Sequence, residues 1–214
     1  TAQLIYLNDP ESQANLAICE PEQEPLDPDE DDHSDDGEDD EDEEGDEGDD
    51  SHVDDGDIDL MHRYGDLKLQ PWVPGTPVDS RCLWVMEMRN ITQGGPIYWR
   101  NVQVRLKNLS KACYLEVETR YDIAHDKESG EDTVVDRHVI KTTYQADAVG
   151  AMWNIIEPNS TSKTLRNSKP YQIGGYGGVY LQLGEELDEK IVITGTKDKD
   201  EALSLLIYRY SEEE

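Results

Sequence analysis

The chain has 214 residues, with 50 Asp or Glu against 19 Lys or Arg, for a formal net charge of −31. That balance excludes a binder of phosphate backbones, which needs clustered cations, and it opposes anionic membrane surfaces. No apolar run approaches the ~18–20 residues of a bilayer span, and the opening Thr1–Leu7 lacks the basic n-region of a signal peptide.

The charge is unevenly placed. Positions 1–62 hold 27 acidic residues and no Lys or Arg, whereas 63–214 hold 23 acidic and 19 basic residues. The pattern predicts two parts: an acidic, largely disordered N-terminal arm over 1–57 and one folded domain over 58–214. The arm cannot bury enough apolar surface to offset its ordering entropy, while some 150 residues suffice for a single core. Basic protein surfaces and divalent cations are the natural electrostatic partners of such an arm.

In chain order, Leu4-Ile5-Tyr6-Leu7 reads as a weak edge strand or anchor. Positions 27–59 are low-complexity Asp/Glu with scattered glycine, extended by their own repulsion. Pro71, Pro74, Gly75 and Pro77 mark a long loop. Beyond it the pattern is β. Leu83–Met88 is an apolar run of strand length; Tyr98–Leu106 and Tyr114–Tyr121 alternate with period two. Asp126–Asp132 reads as a polar turn, Val134–Tyr144 as another strand, and Gly174–Gly178 as a sharp turn where backbone passes closely or adopts positive φ. Val179–Leu183, Lys190–Thr194 and Leu203–Tyr208 complete about eight strands, with no internal repeat visible. Trp84, Val102, Val104, Leu115, Val117, Leu181, Ile191, Ile193, Leu205 and Ile207 are the expected core. The expected class is all-β: an antiparallel sandwich or barrel.

The chemistry-bearing patterns are sparse. Asp32, Ser34, Asp36, Gly37 and Glu43 fall in the register of a calcium-binding EF-hand loop. A tract this rich in Asp, Glu and Gly generates such spacing by composition alone, and Asp39 stands where the loop needs an apolar anchor. His33, His52, His62, His125 and His138 share no ligand spacing with one another or with Cys19, Cys82 and Cys113, and the odd, widely spaced cysteines fit a reducing compartment. No nucleophile elbow or zinc-protease helix is present. The expectation is no catalytic residue, no cofactor, no metal site and no enzyme. Sequons at Asn90, Asn108 and Asn159 read as incidental, though they favour a secreted β module if the chain enters a secretory lumen.

Three segments together resemble capsid proteins of picorna-like RNA viruses of the insect type. Ile58-Asp59-Leu60-Met61-His62-Arg63-Tyr64 is similar to the lead-in before their first core strands. Pro96–Leu106, with Trp99-Arg100 followed by Asn101 in place of the usual glycine, is similar to a later strand. Asp200–Tyr208 is similar to the acidic start of the last strand, with Ala202 where an aromatic is usual. The resemblance implies an eight-stranded antiparallel jelly roll over 58–214 and a structural capsid subunit that packs against like subunits in the virion. It also implies assembly in the host cytoplasm and release from a polyprotein, which fits a start at Thr1. The acidic arm would then avoid RNA and membranes. A β domain beside an acidic tract also describes a histone-chaperone-like binding protein, which is the competing expectation.

Overall fold

The computed structural model describes residues 3–18, 67–88, 102–125, 132–158, 165–166, 169–187 and 190–211. They form twelve strands: β1 (Gln3–Asp9), β2 (Ala14–Ile18), β3 (Leu67–Pro71), β4 (Leu83–Met88), β5 (Gln103–Asn108), β6 (Tyr114–His125), β7 (Asp132–Thr143), β8 (Trp153–Ile156), β9 (Pro170–Gly174), β10 (Tyr180–Leu187), β11 (Lys190–Thr196) and β12 (Ser204–Arg209). All pairings are antiparallel. The all-β expectation therefore holds, with twelve strands instead of eight.

Six strands close a ring: β1 pairs β4, β4 pairs β5, β5 pairs β8, β8 pairs β9, β9 pairs β12, and β12 returns to β1. Each sends two residues, spaced by two, to the interior: Ile5 and Leu7, Trp84 and Met86, Val104 and Leu106, Trp153 and Ile155, Tyr171 and Ile173, Leu205 and Ile207, all buried. They meet as direct cross-strand partners, for example Ile5 with Trp84, Met86 with Leu106, and Val104 with Trp153. Alternation on a pleated strand thus fills a closed barrel, where no edge is left to pair.

The other six strands are three hairpins, β2–β3, β6–β7 and β10–β11, which pack together on the barrel. β3 pairs with β11, and β11 lies against β7 where Thr194 Oγ1 donates to the His138 carbonyl at 3.3 Å. Gly195 is needed at that crossing: a Cβ there would stand 2.8 Å from His138 Cβ and 2.7 Å from Val179 Cγ1.

Four strands thus recur three times. Each unit starts its hairpin after a residue of positive φ, Gln13 (56°), Ala112 (55°) and Gly178 (75°). Three residues later comes a fully buried leucine, Leu16, Leu115 or Leu181. The Trp84 indole donates to the Leu16 carbonyl at 3.1 Å and the Trp153 indole to that of Leu115 at 2.8 Å. In the third unit the Leu203 N–H takes the same role on Leu181 at 2.8 Å. A six-stranded barrel capped by three hairpins about a pseudo-threefold axis is a β-trefoil. A jelly roll instead faces two sheets built from Greek keys, so neither that connectivity nor the reading without an internal repeat describes these strands.

The domain boundary also shifts. β1 is no edge strand; it pairs with β12 and β4 inside the ring and with β2 outside it. Residues 3–18 belong to the fold, and the acidic stretch lies between β2 and β3. The expected disorder of 27–57 falls outside the described residues. Eight of the ten expected core residues are buried, and Val102 and Ile191 are partly buried against the core.

Two predictions follow from this packing. Trp153→Phe keeps most of the apolar volume but orphans the buried Leu115 carbonyl, costing about 1–3 kcal/mol, whereas Trp153→Ala costs about 3–5 kcal/mol. Urea unfolding followed by circular dichroism gives both values. His138 is buried, its Nδ1 3.1 Å from Thr119 Oγ1; burial foremost, then Lys197, hold its pKa below the ordinary 6.5, with Asp136 opposing. The unfolded chain therefore takes up this proton at higher pH than the folded one. The His138 contribution is complete above 6.5 and is lost as pH falls below it. His138→Gln should flatten the stability curve in that window, read as melting temperature against pH.

Candidate interaction surface

The most conspicuous surface is the β6–β7 hairpin, whose strands have 12 residues each. Opposed residues share a face, and Val117 with Ile140 is buried against the core. Two and three steps of the pleat further out, the same face carries Tyr121, and Ile123 paired with Val134. These are 73%, 72% and 70% exposed. The core-facing stripe has thus run past the barrel it was built to cover.

The opposite face of the hairpin is charged and internally paired. Arg137 reaches Asp122 at 2.8 Å, Lys141 reaches Glu118 at 2.9 Å, and Arg120 reaches Glu118 at 3.0 Å. Lys141 first, then Arg120, pull the Glu118 carboxyl below its ordinary pKa against the opposing effect of burial. Half-exposed pairs of this kind contribute little stability each; the same face also carries the buried Val139 and the part-exposed Val135, so its one exposed aliphatic stands alone among charges, whereas Tyr121, Ile123 and Val134 are adjacent. At the inner end of the strip Lys197, just past the end of β11, meets Asp136 at 3.3 Å.

The acidic stretch leaves from the β2–β3 hairpin, which pairs with β11. Ile18 and Leu67 are register partners, both buried, so residues 19–66 enter and leave the fold at paired positions of β2 and β3. Those 48 residues contain 26 Asp or Glu and one basic residue, Arg63, a formal charge of −25; the remaining 166 residues carry −6. Closing a connection this long costs only about 2 kcal/mol more than a four-residue turn.

A second, smaller feature is a groove of about 270 Å³ lined by Gln103, Asp147, Val149, Met152, Asn154, Gly175 and Tyr176. Asp147 is its one carboxylate, and it holds no His, Cys or Ser, so these residues contain no nucleophile with a base beside it. Among the described residues no three His, Cys, Asp or Glu gather as metal ligands, and no helix is long and apolar enough to cross a membrane. The EF-hand-like spacing at 32–43 lies outside the described residues, as do Cys19, Asn90 and Asn159. Cys82 and Cys113 are buried and not disulfide-bonded, and burial, then the charge of Asp79, push the Cys82 thiol up to about 11. Asn108 is fully buried: its amide donates to the Arg81 carbonyl at 2.8 Å while its oxygen accepts from the Ser110 and Lys111 N–H groups. The folded domain leaves no room for a glycan there. Gly174–Gly178 forms the expected turn, with φ of 70° at Gly177 and 75° at Gly178.

No known protein family matches the sequence, and no curated protein does. Among solved structures, an SDF2-like protein from Arabidopsis thaliana is similar in fold. It superposes with a TM-score of 0.56 at 14% identity, over 97% of this chain and 92% of that one.

Proposed function

We propose that this chain is a non-catalytic binding protein that presents a polyanionic segment to basic protein surfaces. The observation that carries the reading is where the acidic residues sit: a charge of −25 is anchored at both ends by register partners of one hairpin. Anchoring fixes the position of that charge relative to a folded surface and raises its local concentration there, which a terminal tail does less closely. Long-range attraction of this kind speeds encounter with cationic partners and weakens as salt rises. The capsid reading drew its fold argument from a jelly roll; the trefoil pairing supplies none, and what supports it now is only the uncovered apolar strip. Of the two expectations, the acidic-tract binding protein fits the placement of the charge.

The test replaces 20–65 with a short Gly-containing turn, leaving Ile18 opposite Leu67. Titration of core histones at about 0.15 M salt should show at least a tenfold loss of affinity in the shortened chain. Most of the salt dependence should disappear with it, since exposed charges are screened beyond about 8 Å at that ionic strength. Unchanged affinity would sink the reading. Light scattering of the intact chain across salt, with and without 20–65, tests the capsid alternative, which requires growth into large assemblies as salt rises.

A further inference from the structure

The geometry points to the β6–β7 strip, Tyr121, Ile123 and Val134, as the docking site for a polypeptide segment that is basic and carries apolar side chains. The inference rests on the function proposed above and adds the surface on which the attracted partner is held.

The strip is an unsatisfied continuation of a buried face. Val117 and Ile140 bury that face near the barrel, and Tyr121, Ile123 and Val134 extend it outward at 70% exposure or more. Exposed apolar residues are common singly, but here three large ones stand adjacent on two paired strands. A contiguous apolar patch on the order of a few hundred Å² is of the size that is often functional. Burying it would release water from two aliphatic side chains and one ring that can also hydrogen-bond at its rim.

Three occupants can be weighed on charge and composition. Between 27 and 57 the sole aliphatic residue is Val53, and the apolar residues at the end of the same stretch, Ile58, Leu60, Met61 and Tyr64, lie within nine positions of Leu67, whose hairpin reaches β7 only by way of β11. A second copy brings another −31 to the first, and most of that charge is borne by the segment anchored on β2 and β3. Like fields on one side of both partners oppose a symmetric contact there. A cationic partner reverses that sign. The β2–β3 hairpin that anchors the acidic stretch pairs with β11, and β11 contacts β7 at His138, with Lys197 just past its end reaching Asp136. The attracting charge and the apolar strip are therefore on one set of packed hairpins, and no residue of 19–66 is more than 24 positions from an anchor, within a reach of at most about 80 Å. Charge brings the segment in, and the strip slows its departure.

The test uses two synthetic peptides of equal length and equal Lys content, one alternating Lys with Leu and the other Lys with Ser. The intact chain should bind the Leu peptide at least about tenfold more tightly. Ile123→Ser with Val134→Ser should abolish that preference through a faster off-rate, leaving the on-rate and its salt dependence unchanged. Equal preference in wild type and variant would overturn the inference. Methyl resonances of wild-type Ile123 and Val134 provide a readout that needs no variant: they should shift with the Leu peptide, and shifts confined to other residues also overturn it. Sedimentation that finds a wild-type dimer dissolved by the same substitutions would assign the strip to a second copy and overturn it too. Replacing 20–65 reports separately: an unchanged on-rate there refutes the polyanion reading, while the Leu-over-Ser preference still decides the strip.

Discussion

Three carbonyls hold the hairpins to the barrel. Leu16, Leu115 and Leu181 each start a hairpin strand from the barrel side, and their carbonyl oxygens accept from Trp84, Trp153 and the Leu203 N–H. Each bond crosses from a hairpin to the strand that closes the same unit, over 68, 38 and 22 residues of sequence. A buried carbonyl without a partner costs more than the bond itself contributes, so these positions constrain what the chain can do. The first two units solve the problem with an indole, which fills the barrel and reaches out of it. The third lacks a tryptophan and brings the backbone closer instead, so Leu205 occupies the interior position that Trp84 and Trp153 hold elsewhere.

Because the ties lie at the roots of the hairpins, the tips are free to differ. The connections contain 48 residues in β2–β3, six in β6–β7 and two in β10–β11. Strand length varies as well, from 5 residues in β2 to 12 in β6. Both departures fall on the hairpins, and the two surface features, the acidic stretch and the apolar strip, are those departures. The barrel strands, with two interior residues each in direct register, leave no comparable latitude.

This division explains how much could be read from the sequence. Strands with an apolar run or an alternation over six or more residues were legible, including Leu83–Met88, Tyr114–Tyr121 and Leu203–Tyr208. The core residues came with them, because period two assigns faces without knowledge of topology. Ala14–Ile18, Leu67–Pro71, Trp153–Ile156 and Pro170–Gly174 were not legible. They are four or five residues long; Ala14–Ile18 is buried throughout and shows no alternation, and two contain proline. Missing them cost the strand count and the threefold repeat, which unequal hairpin connections had already hidden. The acidic composition also misled: a stretch with no structural pattern looked terminal because the two short strands before it carried so weak a signal. The strip had a sequence signal, alternation through Tyr121 and Ile123, but periodicity does not say where the neighbouring layer ends.

The placement of the acidic stretch is what the fold tolerates best. A 48-residue insertion in β1, β4 or β5 would break a register that two ring neighbours share. Between Ile18 and Leu67 it interrupts one pairing at its outer end, with five register pairs of β2–β3 retained behind it. Its closure cost of about 2 kcal/mol is comparable to one hydrogen-bonded tryptophan, a sum the barrel can offset once but not repeatedly in a domain whose net stability is on the order of 10 kcal/mol. Self-repulsion within −25 charges pushes the two strand ends apart and adds to that cost at low salt, so the hairpin root at Leu16 must resist it. The Trp84 bond holds Leu16 of β2 to β4, and the five β2–β3 register pairs are what keep the charged insertion from opening β2 away from β3.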